Sequence, residues 1–104
     1  MSTSKLVYVK IHITPSGTLV AACDAELLDK IIEDPERKIK IHISPSFYRG
    51  ELVTPRGLLD ALKSADMANL VGEESVKIAV VNGLVHPDAV VRIRGIPVAY
   101  FTKI

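Results

Sequence analysis

Two short runs, Lys-Ile-His-Ile-Thr-Pro-Ser at 10–16 and Lys-Ile-His-Ile-Ser-Pro-Ser at 40–46, spell nearly the same seven residues. Each closes a longer segment in which β-branched apolar residues alternate with polar ones. A period of two with Val and Ile on every second position predicts a strand with one buried face. In the first segment Val7, Val9, Ile11 and Ile13 are expected inward, with Tyr8, Lys10 and His12 outward. In the second, Ile39, Ile41 and Ile43 are expected inward, with Lys38, Lys40 and His42 outward. Thr14-Pro15-Ser16-Gly17 reads as a turn, because Pro presets φ and Gly admits positive φ. Residues 18–24 are then expected to return as an antiparallel hairpin strand.

The rest of the chain reads as follows. Asp24 stands as an N-cap before a helix over 25–33, striped by Leu27, Leu28, Ile31 and Ile32 and ended by Pro35. Residues 45–53 read as a loop leading into a short strand. Thr54-Pro55 opens a helix to about Asp66, with Leu58, Leu59 and Leu62 inward. "MANLVG" at 67–72 is a short apolar segment. A helix over 73–82 has acids in its first turn and Gly83 beyond its end. The tail from Ala89 reads as one or two strands broken by Gly95 and Pro97, at a bulge or a sheet edge. There Val91 and Ile93 are expected inward, Arg92 and Arg94 outward.

By length, residues 1–104 form a single globular domain. The fold class these elements predict is α+β: a mixed, mainly antiparallel sheet with about three helices on one face, the other face left open. Residues 7–33 and 38–65 align as two strand–turn–strand–helix units, so an internal repeat is one reading. Shared strand and turn chemistry is the other.

Composition narrows the function classes. The formal charge is +1, which rules out a strong global field for nucleic acid but leaves room for a local basic patch. A lone Cys23 excludes an internal disulfide framework or a Cys-rich zinc site. No apolar run is long enough to span a membrane, and the first ten residues lack a secretion-signal core. A cytoplasmic protein is expected. The chain has no Gln and Asn only at 69 and 82, a scarcity of thermolabile amides that points toward a heat-adapted source.

If the alternating strands are neighbours, Lys10, His12, Lys38, Lys40, His42, Arg92 and Arg94 stand on one basic sheet face. Such a face binds phosphates, and Tyr8 could stack a base. A merely solvated face has the same composition. The histidines, Cys23 and Asp24 show no HxH, HxxxH or CxxC spacing, so no metal, cofactor or catalytic residue is assigned. Cys23 reads as a small buried thiol. No phosphate-loop, dinucleotide or nucleophile-elbow motif occurs. Gly72 before a helix resembles half an anion cradle, but Glu73 and Glu74 in the first turn would repel a phosphate. "SPSFYRGE" at 44–51 gathers Phe47 and Tyr48 beside Arg49, either to dock on the core or to bind something.

"CDAELLDK" (23–30), "SFYRGE" (46–51), "MANLVGEESV" (67–76) and "RGIPVAYF" (94–101) together resemble the small archaeal family catalogued as domain of unknown function (DUF) 424, over nearly the whole chain. The last motif departs from that pattern, with Val98 where a polar residue, often His, is expected after Pro97. The resemblance implies a free-standing archaeal cytosolic protein accompanying the translation and RNA machinery, with no established activity. It directs attention to Asp24, Phe47, Tyr48, Gly50, Asn69, Gly72 and Glu73. Two functions follow as expectations. One is a non-catalytic module for RNA or a ribonucleoprotein, using the basic face and the Phe47–Tyr48–Arg49 loop. The other is a small enzyme or ligand-binding protein with a pocket near Asp24, Tyr48, Asn69 and Glu73. A monomer, or a homodimer through the C-terminal strand, fits either.

Overall fold

The first alternating segment folds as its pattern predicts. In the computed structural model, which describes residues 5–103, β1 (Val7–Thr14) and β2 (Gly17–Asp24) close a hairpin through Pro15 and Ser16. Ser16 N donates to Thr14 Oγ1, and Gly17 adopts φ +126°, a conformation open to glycine. The second copy of the motif diverges at one residue. Phe47 replaces Gly17, Ser44 caps the backbone at Ser46, and Pro45 opens a single helical turn, α1 (Pro45–Tyr48). The two segments, which a repeat or shared strand and turn chemistry would each explain, take different routes after the motif. The second does not close a hairpin on itself.

Residues 25–33 do not form the expected helix. A single 3-10 turn at Ala25–Leu27 leads into β3 (Ile31–Asp34), which pairs antiparallel with β4 (Ile39–His42). Asp29, at φ 68°, donates from its N–H to the Ile43 carbonyl, and Ile43 N donates to Lys30 O. The segment carried two compatible periods. Its β-branched pair, Ile31 and Ile32, found an alternating partner in 39–42, and strand pairing won over local helix propensity.

The remaining elements are β5 (Glu51–Val53), α2 (Pro55–Ser64), β6 (Met67–Val71), α3 (Glu73–Val81), β7 (Val91–Ile93) and β8 (Ile96–Thr102). A second 3-10 turn at Pro87–Ala89 precedes β7. Six strands form one sheet in the order β5-β1-β2-β6-β8-β7, and β3–β4 stand apart as a two-stranded sheet. Among the described residues only β2 and β6 pair in parallel. Gly95 breaks the tail into two strands. Pro97 does not: it lies inside β8, opposite Arg92, and its carbonyl accepts from Gly72 N. The fold is thus α+β, with a mixed and mainly antiparallel sheet.

Both faces of the large sheet are covered. On the first, Val7, Val9, Val20, Ala22, Ala68, Leu70, Ala99 and Phe101 pack against Leu58 and Leu62 of α2 and Val76 and Ala79 of α3. Each fully buried Leu there contributes roughly 1.5–3 kcal/mol. On the second face, Ala21, Cys23, Val71 and Ile93 lie beneath Ile32 and Ile43 of the β3–β4 region and Tyr48 of α1. The face expected to be open therefore holds a second core. It stays accessible only toward the Thr14, Met67 and Thr102 ends of the strands, beyond the cover. The first face has an exposed margin as well. Ile11 and Ile13 keep the predicted parity but project past the helices, 56% and 81% exposed.

Candidate functional site

Asp24 was expected to cap a helix immediately after it. It caps a different one. Its side chain accepts from Glu74 N (3.0 Å), Ser75 N (2.9 Å) and Ser75 Oγ (2.9 Å), all in the first turn of α3. Asp24 is 2% exposed, and those three donors satisfy the buried carboxylate. Gly72 makes the approach possible. It sits at φ +112°, and a Cβ there would lie 2.3 Å from Asp24 Cγ. The half-cradle read at Gly72 is thus filled by the protein's own carboxylate and is not free for an external anion.

The seven cationic or imidazole positions do not share one sheet face. Lys10 and His12 lie on the second face of β1, held by α1: Lys10 Nζ donates to Ser46 O (2.7 Å) and His12 Nε2 to Phe47 O (2.8 Å). Lys40 and His42 belong to the small sheet, on the side facing away from the core. Lys38 lies in its turn at φ 56°. His42 bonds Asp29 (2.7 Å). Arg92 and Arg94 lie at the opposite edge of the large sheet, four strand spacings from β1, or about 19 Å. The correction has a simple cause. Alternation tells which residues share a face of one strand, not which strands share a sheet.

Two of the seven do converge, with a third cation that the strand pattern did not single out. The β3–β4 turn folds against the β7–β8 turn. There Arg37, Arg92 and Arg94 line a depression of about 550 Å³ with Asp34, Glu36 and Gly95. Arg37 Nε pairs with Asp34 Oδ2 (3.0 Å), and its Nη2 donates to the Arg92 carbonyl. Arg92 Nη1 reaches Glu73 Oε2 (2.9 Å) and Gly95 O (2.9 Å). That hydrogen bond to Arg92 holds the Glu73 carboxyl below its ordinary range. Arg94 has no side-chain partner among the described residues. Two guanidiniums are thus fixed by internal partners, while Arg94 is exposed. Arg37 lay in a helix-to-strand linker in the sequence reading, and only the hairpin brings it to β7.

The four residues expected to line one pocket do not. Asp24 is spent on α3, Tyr48 is buried in the second core, Asn69 lies on the second face of β6, and Glu73 pairs with Arg92 in the open. Glu73 alone of the four lines a second depression of about 550 Å³, along α3 with Val76, Val80 and Arg92. Phe47 and Tyr48 are docked, ring edge to ring face at 4.9 Å, and Phe47 also stacks on His12 at 4.7 Å. Arg49 is exposed at the end of α1. Burial, reinforced by Asp24 and Glu26, pushes the Cys23 thiol up to about 12, so it is no nucleophile at neutral pH. Among the described residues no three His, Cys, Asp or Glu side chains converge as a metal site would need, and no helix is long and apolar enough to cross a membrane.

Sequence reasoning also passed over Tyr100. It is 55% exposed on the second face, directly opposite Asn69 across the β6–β8 pair. The signal was the period-two alternation of Val98, Tyr100 and Thr102, an aromatic on the same parity as the cations of β1.

A family model described as "Protein of unknown function (DUF424)" matches residues 11–104. Among solved structures, the chain is similar to an uncharacterized conserved protein from Methanopyrus kandleri, at 25% identity and a TM-score of 0.76, over 92% of this chain and 90% of that one. No functionally curated protein matches.

Proposed function

Since the chain belongs to the DUF424 family, to which no activity is assigned, we propose on physical grounds that it is a non-catalytic binding module for RNA or a ribonucleoprotein, taking phosphates at the Arg37–Arg92–Arg94 depression. The observation that carries this is the meeting of three arginines, one from the β3–β4 turn, one from β7 and one from the β7–β8 turn, on one concavity that Asp34 and Glu36 also line. A planar, permanently charged guanidinium matches the geometry of a phosphate oxygen pair. The inert Cys23 thiol and the internally satisfied Asp24 argue for binding over catalysis. The amide-poor composition and the family resemblance favour a heat-adapted archaeal cytosol as the setting.

The test is binding of a fluorescein-labelled single-stranded RNA across a salt series. Affinity is expected to fall linearly on a log–log plot, with a slope of about −0.7 per phosphate neutralised. Arg94→Glu should weaken binding and flatten that slope, and its exposed position leaves the fold intact. Salt-independent binding, or an unaltered slope in the variant, would defeat the proposal. The depression along α3 supports a second reading, a small-ligand site with a floor of Val76 and Val80 and a rim of Glu73 and Arg92. Ligand-induced shifts confined to α3, with none at the Arg94 turn, would favour it.

A further inference from the structure

Four strands place Lys10, Ala21, Asn69 and Tyr100 in one cross-strand row on the second face, through the pairs Lys10↔Ala21, Ala21↔Asn69 and Asn69↔Tyr100. The row nearer the hairpin's cover, Tyr8–Cys23–Val71–Val98, contributes to the second core. In this row Ala21 still belongs to the second core, and only toward β8 does the face open, with Asn69 half-buried and Tyr100 exposed. At the β1 end stands the His12–Phe47 stack, with its rings 20° from parallel. At the β8 end the Tyr100 ring is open to solvent. Between them Asn69 presents an amide with no side-chain hydrogen bond among the described residues. Its neighbour Ala21 is buried in the second core, so the amide's free side is the one toward Tyr100.

We propose that the Asn69–Tyr100 end of this row is a base-binding platform for single-stranded RNA, in which Tyr100 stacks a base and Asn69 hydrogen-bonds its edge. The inference rests on the phosphate-binding reading above and assigns the bases of the same ligand. An aromatic ring lying free on a sheet offers a π-face to any unstacked base, at a gain of roughly 5- to 150-fold in affinity per base. The Asn amide supplies one donor group and one acceptor, the pattern that reads a base edge. Charge and path favour the same occupant. Tyr100 lies five residues along β8 from Gly95 at the arginine depression, about 17 Å. A strand crossing from the arginines to the platform thus meets cations first and then an aromatic beside an amide. A base paired within a duplex cannot lie flat on Tyr100, so the platform selects single strands.

The experiment compares fluorescein-labelled 12-mer oligouridylate and oligoadenylate with a 12-base-pair RNA duplex, using the full chain. Tyr100→Ala is expected to weaken both single strands by at least about fivefold, Tyr100→Phe to bind like the parent, and Asn69→Ala to narrow any difference between the two homopolymers. Duplex binding should respond to none of these, while Arg94→Glu weakens all probes. With the unaltered protein, a 2-aminopurine inside the strand should be quenched on binding as it stacks, which keeps the test independent of how the variants fold. Tyr100→Ala and Asn69→Ala binding like the parent, or no 2-aminopurine response, overturns the platform while the phosphate site stands. If no RNA binds at all, both readings fall. If Tyr100→Ala instead abolishes self-association in sedimentation, the face belongs to a second copy of the chain.

Discussion

Asp24 and Gly72 work as one unit. The carboxylate accepts three hydrogen bonds from the start of α3, and glycine at φ +112° leaves room for it. Asp24→Ala should cost about 2–3 kcal/mol in chemical denaturation, the loss of a cap plus buried donors left unmet. Gly72→Ala should cost a similar amount, since it adds backbone strain to a clash. The clash requires the carboxylate, so Gly72→Ala should cost less in an Asp24→Ala background. Simple additivity would show that the two do not act through each other. Cys23 gives a prediction in pH. Its thiol rises from 9.0 to about 12 on folding, so the native state favours the neutral form. That stabilisation is complete below pH 9 and is lost as pH climbs toward 12, at about 1.4 kcal/mol per unit. Parent stability should therefore fall more steeply than that of Cys23→Ala over this window. At pH 8 a thiol reagent should label the cysteine only after unfolding.

At the scale of elements, parity within a strand was legible and its extent was not. Val7 and Val9 are buried, while Ile11 and Ile13, on the same side of the same strand, outrun the helices above them. Alternation marks a face, but only the length of α2 and α3 decides how much of that face is covered. Ile13→Ala should accordingly change stability by less than about 0.5 kcal/mol. Ile43→Ala, which opens a cavity in the second core, should cost about 2–5 kcal/mol. Equal effects in urea titrations would contradict the assigned burial. The helix expected over 25–33 failed for a related reason. Ile31 and Ile32 satisfy either period, and the choice fell to a partner strand that local propensity does not see.

The molecule as a whole is a sheet with two cores, one under α2 and α3, the other under the β3–β4 hairpin and α1. The second core is small and shares Cys23, Val71 and Ala21 with central strands of the large sheet. Ile43→Ala should therefore lower a single unfolding transition, with far-UV circular dichroism and Cys23 labelling reporting the same midpoint. Two separated midpoints would mean that the hairpin melts on its own. The candidate site follows from this architecture. Arg92 and Arg94 stood out in the sequence, and Arg37 joined them only because the hairpin folds back on β7. Lys10 and Asn69 were visible singly, while their alignment with Tyr100 arises from pairing across four strands. The sequence by itself determined what each residue's neighbours along the chain can impose: strand parity, the Pro-Gly turn, the Thr54-Pro55 helix start, and the mixed α+β class. Tertiary structure alone decided which strands became neighbours, because pairing is set by contacts between segments far apart in the chain, and those contacts compete on total burial rather than on local pattern.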